Sequence, residues 1–191
     1  MAGKLGAPIV KDDLGRFLMR WRIRVVVPHV RGRLLDVGCG TNELVRSYGG
    51  EGIGVDVYQW GNVDLVVDDS ANLPFRDEEF DTVTMVAALN HIPNRKEVLK
   101  TAHRVLRVEG RIIITMISPW MSRIWHVLRK RWDADQSERG MRDGEVYGLT
   151  RKQVHLLLDG AGFQVSYEHR FMLGLNRLTV AGKAVKTREL G

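Results

Sequence analysis

The stretch RLLDVGCGTNEL, residues 33–44, constrains the fold of this chain more than any other feature. It begins with a short apolar run that ends at Asp36, and Gly38, Cys39 and Gly40 follow within four residues. Glycines allow a backbone with positive φ and leave space for a ligand that a Cβ atom would block. The segment behind them has helical spacing, and the first turn of a helix offers free N–H groups. The stretch therefore predicts a strand, a tight glycine turn and a helix around a bound ligand.

A second acid adds to this interpretation. The pattern is Asp-x-Gly-x-Gly-x-Asn, which differs from the dinucleotide fingerprint Gly-x-Gly-x-x-Gly because Glu43 stands where the third glycine would be. Asp56 ends the apolar run 53–56 and lies 20 residues after Asp36 (56 − 36). In doubly wound folds, an acid at about this separation binds the hydroxyls of a ribose. The two acids and the turn together indicate a ligand that contains a ribose.

Strand and helix patterns alternate along the rest of the chain. Apolar runs predict further strands at 53–56, 63–67, 80–88 and 111–115. A second helix is expected to run from its cap Asn94 to a stop at Gly110. This alternation gives right-handed crossovers and a parallel sheet. A capping box, Thr150-x-x-Gln153, opens the last helix, and two strands follow at 163–172 and 177–181.

These residues resemble the class I S-adenosylmethionine-dependent methyltransferases, of the small-molecule type with a methyltransferase domain 11-like sequence. The stretch DDSANLPFRDEEFDTVTMVAALNHIP is similar to the third and fourth motifs of that family. The resemblance runs from about Arg33 to Lys183. It implies an α/β fold that is doubly wound and Rossmann-like, with a mostly parallel seven-stranded sheet, an antiparallel last strand and helices on both faces.

The resemblance also implies the cofactor, S-adenosyl-L-methionine, and residues that bind it. The first-strand acid faces the amino end, the second-strand acid binds the ribose, and Asp69 accepts from the adenine amine, with Asp68 as the adjacent alternative. Asn42 replaces a glycine of the motif and tolerates a left-handed backbone better than most residues. The expected cofactor-binding residues are Asp36, Gly38, Cys39, Gly40, Asn42, Asp56, Val57, Asp69, Ser70, Leu73 and Ala87.

One histidine is the candidate for acid–base chemistry. His91 follows the fourth strand in LNHIP, near the family's methyl-transfer site, and a base is required only if the acceptor starts protonated. The alternative is that His91 anchors its loop through a hydrogen bond. Cys39 is interpreted as a packing residue, and no Cys/His cluster has zinc spacing. Weaker candidates for substrate contacts are His126, Asp133, Asp135, Glu138 and Tyr147.

The chain is expected to form a single methyltransferase domain over 1–191. Its parts are a basic N-terminal helix within 1–32, a cofactor-binding half at 33–118, a lid-like insertion at 119–148, and the last helix with the closing strands at 149–183. The N-terminal helix is expected from Asp12 to about Val30, with Asp12 or Asp13 as its N-cap. It carries arginines and an apolar stripe formed by Leu14, Phe17, Leu18, Trp21 and Val25. It either meets an anionic surface or substrate or packs on the sheet with its arginines in water. The insertion, in which a helix is expected at 121–131, is either part of a substrate lid or a surface excursion.

Composition limits the remaining possibilities. The chain has a net charge of +6, 44% hydrophobic residues and one cysteine. No apolar run approaches the roughly 18 residues of a membrane span, no signal-peptide layout is evident, and a single cysteine fits a cytoplasmic protein. The acceptor is expected to be a small or lipid-like molecule, and peripheral membrane contact stays open. A nucleic-acid methyltransferase, suggested only by positive charge, and a non-catalytic cofactor-binding subunit are the rival hypotheses.

Overall fold

A seven-stranded sheet with helices on both faces forms the described part of the chain. The computed structural model describes residues 13–119 and 144–184. The strands are β1 Leu34–Val37, β2 Gly52–Asp56, β3 Leu65–Val66, β4 Phe80–Val86, β5 Leu106–Ile117, β6 Phe163–Phe171 and β7 Asn176–Lys183. The helices are α1 Asp13–Val26, α2 Glu43–Tyr48, α3 Arg95–Val105 and α4 Arg151–Gly160.

The strand order is β3-β2-β1-β4-β5-β7-β6. Strands β1 to β5 pair in parallel, and β7 runs antiparallel to both β5 and β6. The predicted doubly wound fold with an antiparallel last strand is confirmed. In the register, Asp36 of β1 pairs with Gly54 of β2 and with Thr84 of β4. Because parallel strands end at the same edge of a sheet, the acids of β1 and β2 meet the loop after β4 there.

Alternating side chains divide the sheet between two hydrophobic layers, since successive residues of a strand point to opposite faces. On one face, Leu35 and Ile112 belong to a cluster that includes buried residues of α3 and α4. On the other face, Leu34 and Ile113 belong to a cluster with buried residues of α1 and α2. Leu34 and Leu35 are neighbours in sequence, as are Ile112 and Ile113. All four side chains are fully buried, so the sheet is covered on both sides.

Several element ends differ from the sequence prediction. The third strand is only Leu65–Val66 rather than 63–67, and α3 ends at Val105 instead of continuing to Gly110. Leu106 already belongs to β5, where it pairs with Phe80 before a register shift. The spacing of apolar residues does not show where backbone groups begin to pair with a neighbouring strand. The predicted helix therefore extended beyond the observed end at Val105.

The buried face of α1 includes only part of the predicted stripe. Leu14, Phe17 and Trp21 are 54%, 55% and 36% exposed. Leu18 and Val25 of the stripe are partly buried against the sheet, where Ile23 and Val26 are buried. An amphipathic pattern with apolar residues on more than one side leaves the choice of buried face to the surface it meets. Here the side containing Ile23 and Val26 packs on the sheet, and the aromatic stripe lies outside.

Some predictions lie outside the described residues. They concern a cap at Asp12, a helix at 121–131, most of the 119–148 insertion, and the candidate contacts His126, Asp133, Asp135 and Glu138. Within 13–119 and 144–184, no helix has the length and apolar character needed to cross a membrane.

The capping box of α4 is confirmed and gives a stability prediction. The N–H of Gln153 donates to the Thr150 hydroxyl over 3.3 Å, and the N–H of Thr150 donates to the Gln153 side chain over 2.8 Å. Thr150→Ala should lower the free energy of unfolding by about 1 kcal/mol, because a helix N–H loses its acceptor. Urea denaturation is the measurement. The exposed Lys152→Ala on the same turn is the control, and an equal loss in both variants would contradict the capping role.

Candidate functional site

The glycine turn after β1 is held against its neighbours on two sides. Gly38 and Gly40 have φ values of 73° and 55°, in the left-handed region. The N–H of Gly38 donates to the carbonyl of Val55 in β2 over 2.9 Å. A Cβ atom placed on Gly38 would lie 2.6 Å from the Cβ of Ala88, after β4. The turn therefore requires glycine, and it lies in contact with the loop that carries the candidate histidine.

Asn42 continues this turn in the left-handed conformation, with φ 62° and ψ 27°. Its side-chain amide donates to Asp64 over 2.8 Å and to the carbonyl of Asn62 over 3.0 Å. The same oxygen of Asp64 accepts from the N–H of Gly54 over 2.7 Å. Asp64 thus stabilises the replacement of a glycine by Asn42, and sequence reasoning missed this residue. The only sequence signal was that this acid interrupts the apolar run at 63–67.

Asp56 fastens the end of β2 to the glycine turn. One carboxylate oxygen accepts from the N–H of Gly40 over 2.9 Å, and the other accepts from the N–H of Tyr58 over 3.0 Å. The side chain is mostly buried, whereas the neighbouring Val57 is exposed. Each oxygen of an ionised carboxylate has a second lone pair, so the acid keeps acceptor capacity for a ligand.

Asp36 is an acid buried at the end of β1, with 2% exposure. Its carboxyl accepts from the Thr84 hydroxyl over 2.6 Å. Burial raises the pKa of Asp36 to about 7 from 3.8, because the charged form loses its hydration. The bond from Thr84 opposes this increase in pKa, and the nearby charge of Asp56 adds to it. A cation placed beside Asp36 would favour the ionised carboxylate.

Cys39 lies between these acids. Burial raises the pKa of its thiol, and the negative charges of Asp36, Asp56 and Asp64 raise it further. Nucleophilic cysteines require a lowered pKa because the thiolate is the reactive form. The environment of Cys39 therefore favours the protonated thiol, in agreement with a packing role in the turn.

Asp69 is connected to the segment that follows β4. The Asn94 amide lies 3.0 Å from each of its carboxylate oxygens, and the N–H of Ala71 donates to one of them over 2.8 Å. The predicted capping role of Asn94 is wrong in this respect: it occupies the N-cap position of α3 without a side-chain capping bond. Ser70 and Leu73 are buried beside the acid, whereas Asp68 is exposed.

The loop after β4 carries His91 in a short 3-10 turn, Leu89–His91. Arg95 anchors this loop, donating to the carbonyls of Leu89 and Asn90 over 3.0 Å each. The alternative role of His91, as an anchor of this loop, stays a prediction beside that of Arg95. Nδ1 of His91 lies 3.7 Å from a carboxylate oxygen of Glu145, whose side chain is 1% exposed. Sequence reasoning missed Glu145, which no local pattern distinguishes.

The remaining predicted residue is Ala87, at the end of β4. Its φ is 54°, and its N–H lies 3.0 Å from the hydroxyl of Thr115 and 3.2 Å from the Thr115 carbonyl. The positive φ turns the chain away from the sheet and towards the glycine turn. The structure thus places the expected residues of β1, β2 and β4 at one edge of the sheet, with Asp69 joined to that edge through Asn94.

Comparison with known proteins shows which family part of the chain resembles. Residues 35–114 match the methyltransferase domain family. A demethylmenaquinone methyltransferase of Staphylococcus saprophyticus is 37% identical over 114 residues, which cover 49% of this chain and 49% of the relative. The ubiquinone/menaquinone biosynthesis C-methyltransferase UbiE of Ectopseudomonas mendocina is 27% identical over 131 residues, covering 58% of this chain and 51% of the relative. The chain therefore spans about half the length of the curated relatives it matches.

A solved structure supports the fold assignment. The 1,6-didemethyltoxoflavin-N1-methyltransferase of Burkholderia thailandensis, with bound 1,6-didemethyltoxoflavin and S-adenosylhomocysteine, superposes with a TM-score of 0.64 at 19% identity. The superposition covers 90% of this chain and 81% of that chain, and at this identity it shows a shared fold. The family match runs from the first strand into the fifth. The chain is therefore similar to methyltransferases, in sequence over residues 35–114 and in fold over most of its length.

Proposed function

We propose that this chain transfers the methyl group of S-adenosyl-L-methionine to a small-molecule or lipid-like acceptor. The observation that carries the proposal is the juxtaposition of a buried acid, a left-handed glycine turn and a second acid at one edge of the sheet. Asp36, Gly40 and Asp56 define this arrangement. It supplies, within one small volume, acceptors for a cationic amine and for a ribose diol, both of which this cofactor contains.

The chemistry of the donor set fits the cofactor. Burial holds the pKa of Asp36 at about 7, so an amino cation beside it would be stabilised by ionisation of the carboxyl. Asp56 is fixed by two backbone N–H groups, and Asp69 is fixed by Asn94. Carboxylates held in this way need little reorganisation when a ligand arrives, which lowers the free-energy cost of binding.

The residues would act mainly by positioning. When bound, S-adenosylmethionine supplies a methyl group on a positively charged sulfur. Asp36 would orient the amino end, Asp56 the ribose and Asp69 the adenine, with the glycine turn admitting the ligand close to the backbone. The loop that carries His91 contacts the turn through Ala88, so an acceptor bound near His91 would be close to the cofactor. Alignment of reactants is itself a large source of rate enhancement.

The names of the relatives favour a quinone-like acceptor. Two matched relatives are a demethylmenaquinone methyltransferase and a ubiquinone/menaquinone biosynthesis C-methyltransferase. An aromatic acceptor with an ionisable hydroxyl suits a site with a histidine, since a base is required when the acceptor starts protonated. We place this activity in the cytoplasm, as the single cysteine suggests.

The proposal is tested by calorimetric titration with S-adenosylmethionine and S-adenosylhomocysteine, followed by a methyl-transfer assay. Micromolar binding of both ligands and labelling of a demethylmenaquinone reduced to its quinol are the expected results. Bulk RNA is the comparison acceptor. Labelling of RNA alone, with steeply salt-dependent binding, would favour the nucleic-acid alternative. Cofactor binding with no transfer to any acceptor in cell extract would favour the non-catalytic alternative. A folded sample that binds neither ligand would contradict the proposal.

The ribose-binding role predicts the effect of Asp56→Ala. Loss of a charged acceptor should weaken S-adenosylhomocysteine binding by about 10- to 100-fold, since hydrogen bonds to charged groups contribute roughly 1.5–3 kcal/mol. The far-ultraviolet circular dichroism spectrum should remain unchanged. Calorimetry measures the affinity, with the exposed Asp159→Ala in α4 as the matched control. Equal affinities for Asp56→Ala and the wild type would remove Asp56 from the site.

The raised pKa of Asp36 predicts a pH-dependent stability. Its carboxyl binds more protons in the folded than in the unfolded state between about pH 4 and pH 7. Its contribution to the free energy of unfolding therefore falls as the pH rises through this window and is constant above it. Relative to the wild type, Asp36→Asn should gain stability across the window, on the order of a few kcal/mol in total.

Urea denaturation of the cofactor-free protein at a series of pH values measures this difference. The exposed Asp68→Asn variant is the control, and its stability should follow that of the wild type. A constant difference between Asp36→Asn and the wild type across the window would show that folding does not change the ionisation of Asp36.

A further inference from the structure

We propose that Glu145 positions His91 as the base that takes a proton from the methyl acceptor. This inference rests on the proposed function and adds to it a residue beyond the matched span 35–114. Nδ1 of His91 and the Glu145 carboxylate are 3.7 Å apart, with the carboxylate 1% and the histidine side chain 29% exposed. The distance is that of an ion pair and slightly longer than a hydrogen bond. Contacts of this kind are often long in a free enzyme and shorten on binding.

The position of Glu145 is fixed by the backbone on either side of it. The N–H of Val146 donates to the carbonyl of Asn90 over 3.0 Å, and the Asn90 amide lies 3.4 Å from the carbonyl of Val146. Arg95 donates to the carbonyl of Gly144 over 2.7 Å. Hydrogen bonds before and after Glu145 therefore attach it to the loop that carries His91. A carboxylate held in this way can control the orientation of an imidazole.

Among the residues that the structure describes, Arg95 is a second charged group near Glu145. Burial lowers the pKa of Arg95, and the negative charge of Glu145 opposes this change. The guanidinium donates to the carbonyls of Leu89, Asn90 and Gly144, so its hydrogen bonds hold the backbone. A buried carboxylate is stabilised by a nearby cation. The alternative explanation is that Glu145 serves only as a counterion of Arg95. In that case, the effect of Glu145→Gln on kcat would be the same with and without His91.

The arrangement assigns different tasks to the two ring nitrogens. A carboxylate beside Nδ1 favours the proton on that nitrogen, which leaves the lone pair on Nε2. In the proposed step, the hydroxyl O–H bond of a quinol-like acceptor breaks, and the proton forms an N–H bond at Nε2. The electron pair stays on the acceptor oxygen and makes the acceptor nucleophilic. Glu145 stabilises the resulting imidazolium without itself taking the proton, so it is a positioning residue.

A double-mutant cycle on the full chain tests this role, with reduced demethylmenaquinone as the acceptor probe. His91→Ala should lower kcat by about 100-fold, the lower end of what a positioned base contributes. Glu145→Gln should lower kcat by about tenfold with little change in KM, and Glu145→Asp should recover part of that rate. In the His91→Ala background, Glu145→Gln should have no further effect. Losses that multiply in the double variant would overturn the proposal.

The exposed Glu97→Gln, in the first turn of α3, is the matched control and should retain the wild-type kcat. Calorimetry with S-adenosylhomocysteine provides the second readout, and its Kd should be the same for Glu145→Gln and the wild type. A higher Kd for Glu145→Gln than for the wild type would show that the substitution disturbs the cofactor site. That result would overturn a role of Glu145 through His91.

A third readout does not depend on the identity of the acceptor. Long-range proton–nitrogen NMR correlations distinguish the two neutral tautomers of a histidine. The His91 ring should be protonated at Nδ1 in the wild type, and Glu145→Gln should remove this preference. Protonation at Nε2 in the wild type would overturn the inference. If the wild type binds the cofactor but methylates no quinol, the proposed acceptor fails, and the tautomer still decides the role of Glu145.

Discussion

The hydrogen bond from the N–H of Gly40 to the Asp56 carboxylate is the interaction on which the rest of the site depends. It joins the turn after β1 to the end of β2 across a 2.9 Å contact. Gly38, Gly40 and Asn42 all have positive φ, a conformation that persists only where the surroundings determine it. Asp64 holds Asn42 in the same turn. A backbone that is strained locally is thus held in place by carboxylates of neighbouring segments.

The same edge of the sheet contains a buried ionisable group, which a packed core would exclude. Asp36 is buried, and its raised pKa shows that ionisation is unfavourable there without a cation. Residues that serve binding often reduce stability, because a site must contain groups that a packed core would exclude. Asp56 accepts hydrogen bonds from two backbone N–H groups, and Asp69 accepts them from the Asn94 amide and a backbone N–H. The three acids carry the same functional group but differ in the donors around them, since the hydroxyl of Thr84 donates to Asp36.

Local patterns in the sequence predicted most of the fold. Strand and helix types alternate as expected, the capping box at Thr150 is present, and the antiparallel β7 closes the sheet. The predictions failed where a local pattern had several solutions. The apolar residues of α1 occur on more than one side, so the side that includes Phe17 could not be ruled out as the buried one. Asn94 suits a helix cap, but the nearby Asp69 offers a charged acceptor, and such hydrogen bonds are stronger than neutral ones.

The sequence by itself determined the fold class, the glycine turn and the acids at the ends of β1 and β2, because these depend on spacings of at most about twenty residues. Only the tertiary structure decided that Asn94 binds Asp69, that Asp64 supports Asn42 and that Glu145 lies beside His91. The last pair is 54 residues apart (145 − 91). Such contacts form where distant segments of the chain meet at the edge of the sheet. A local sequence pattern does not show which side chains come into contact there.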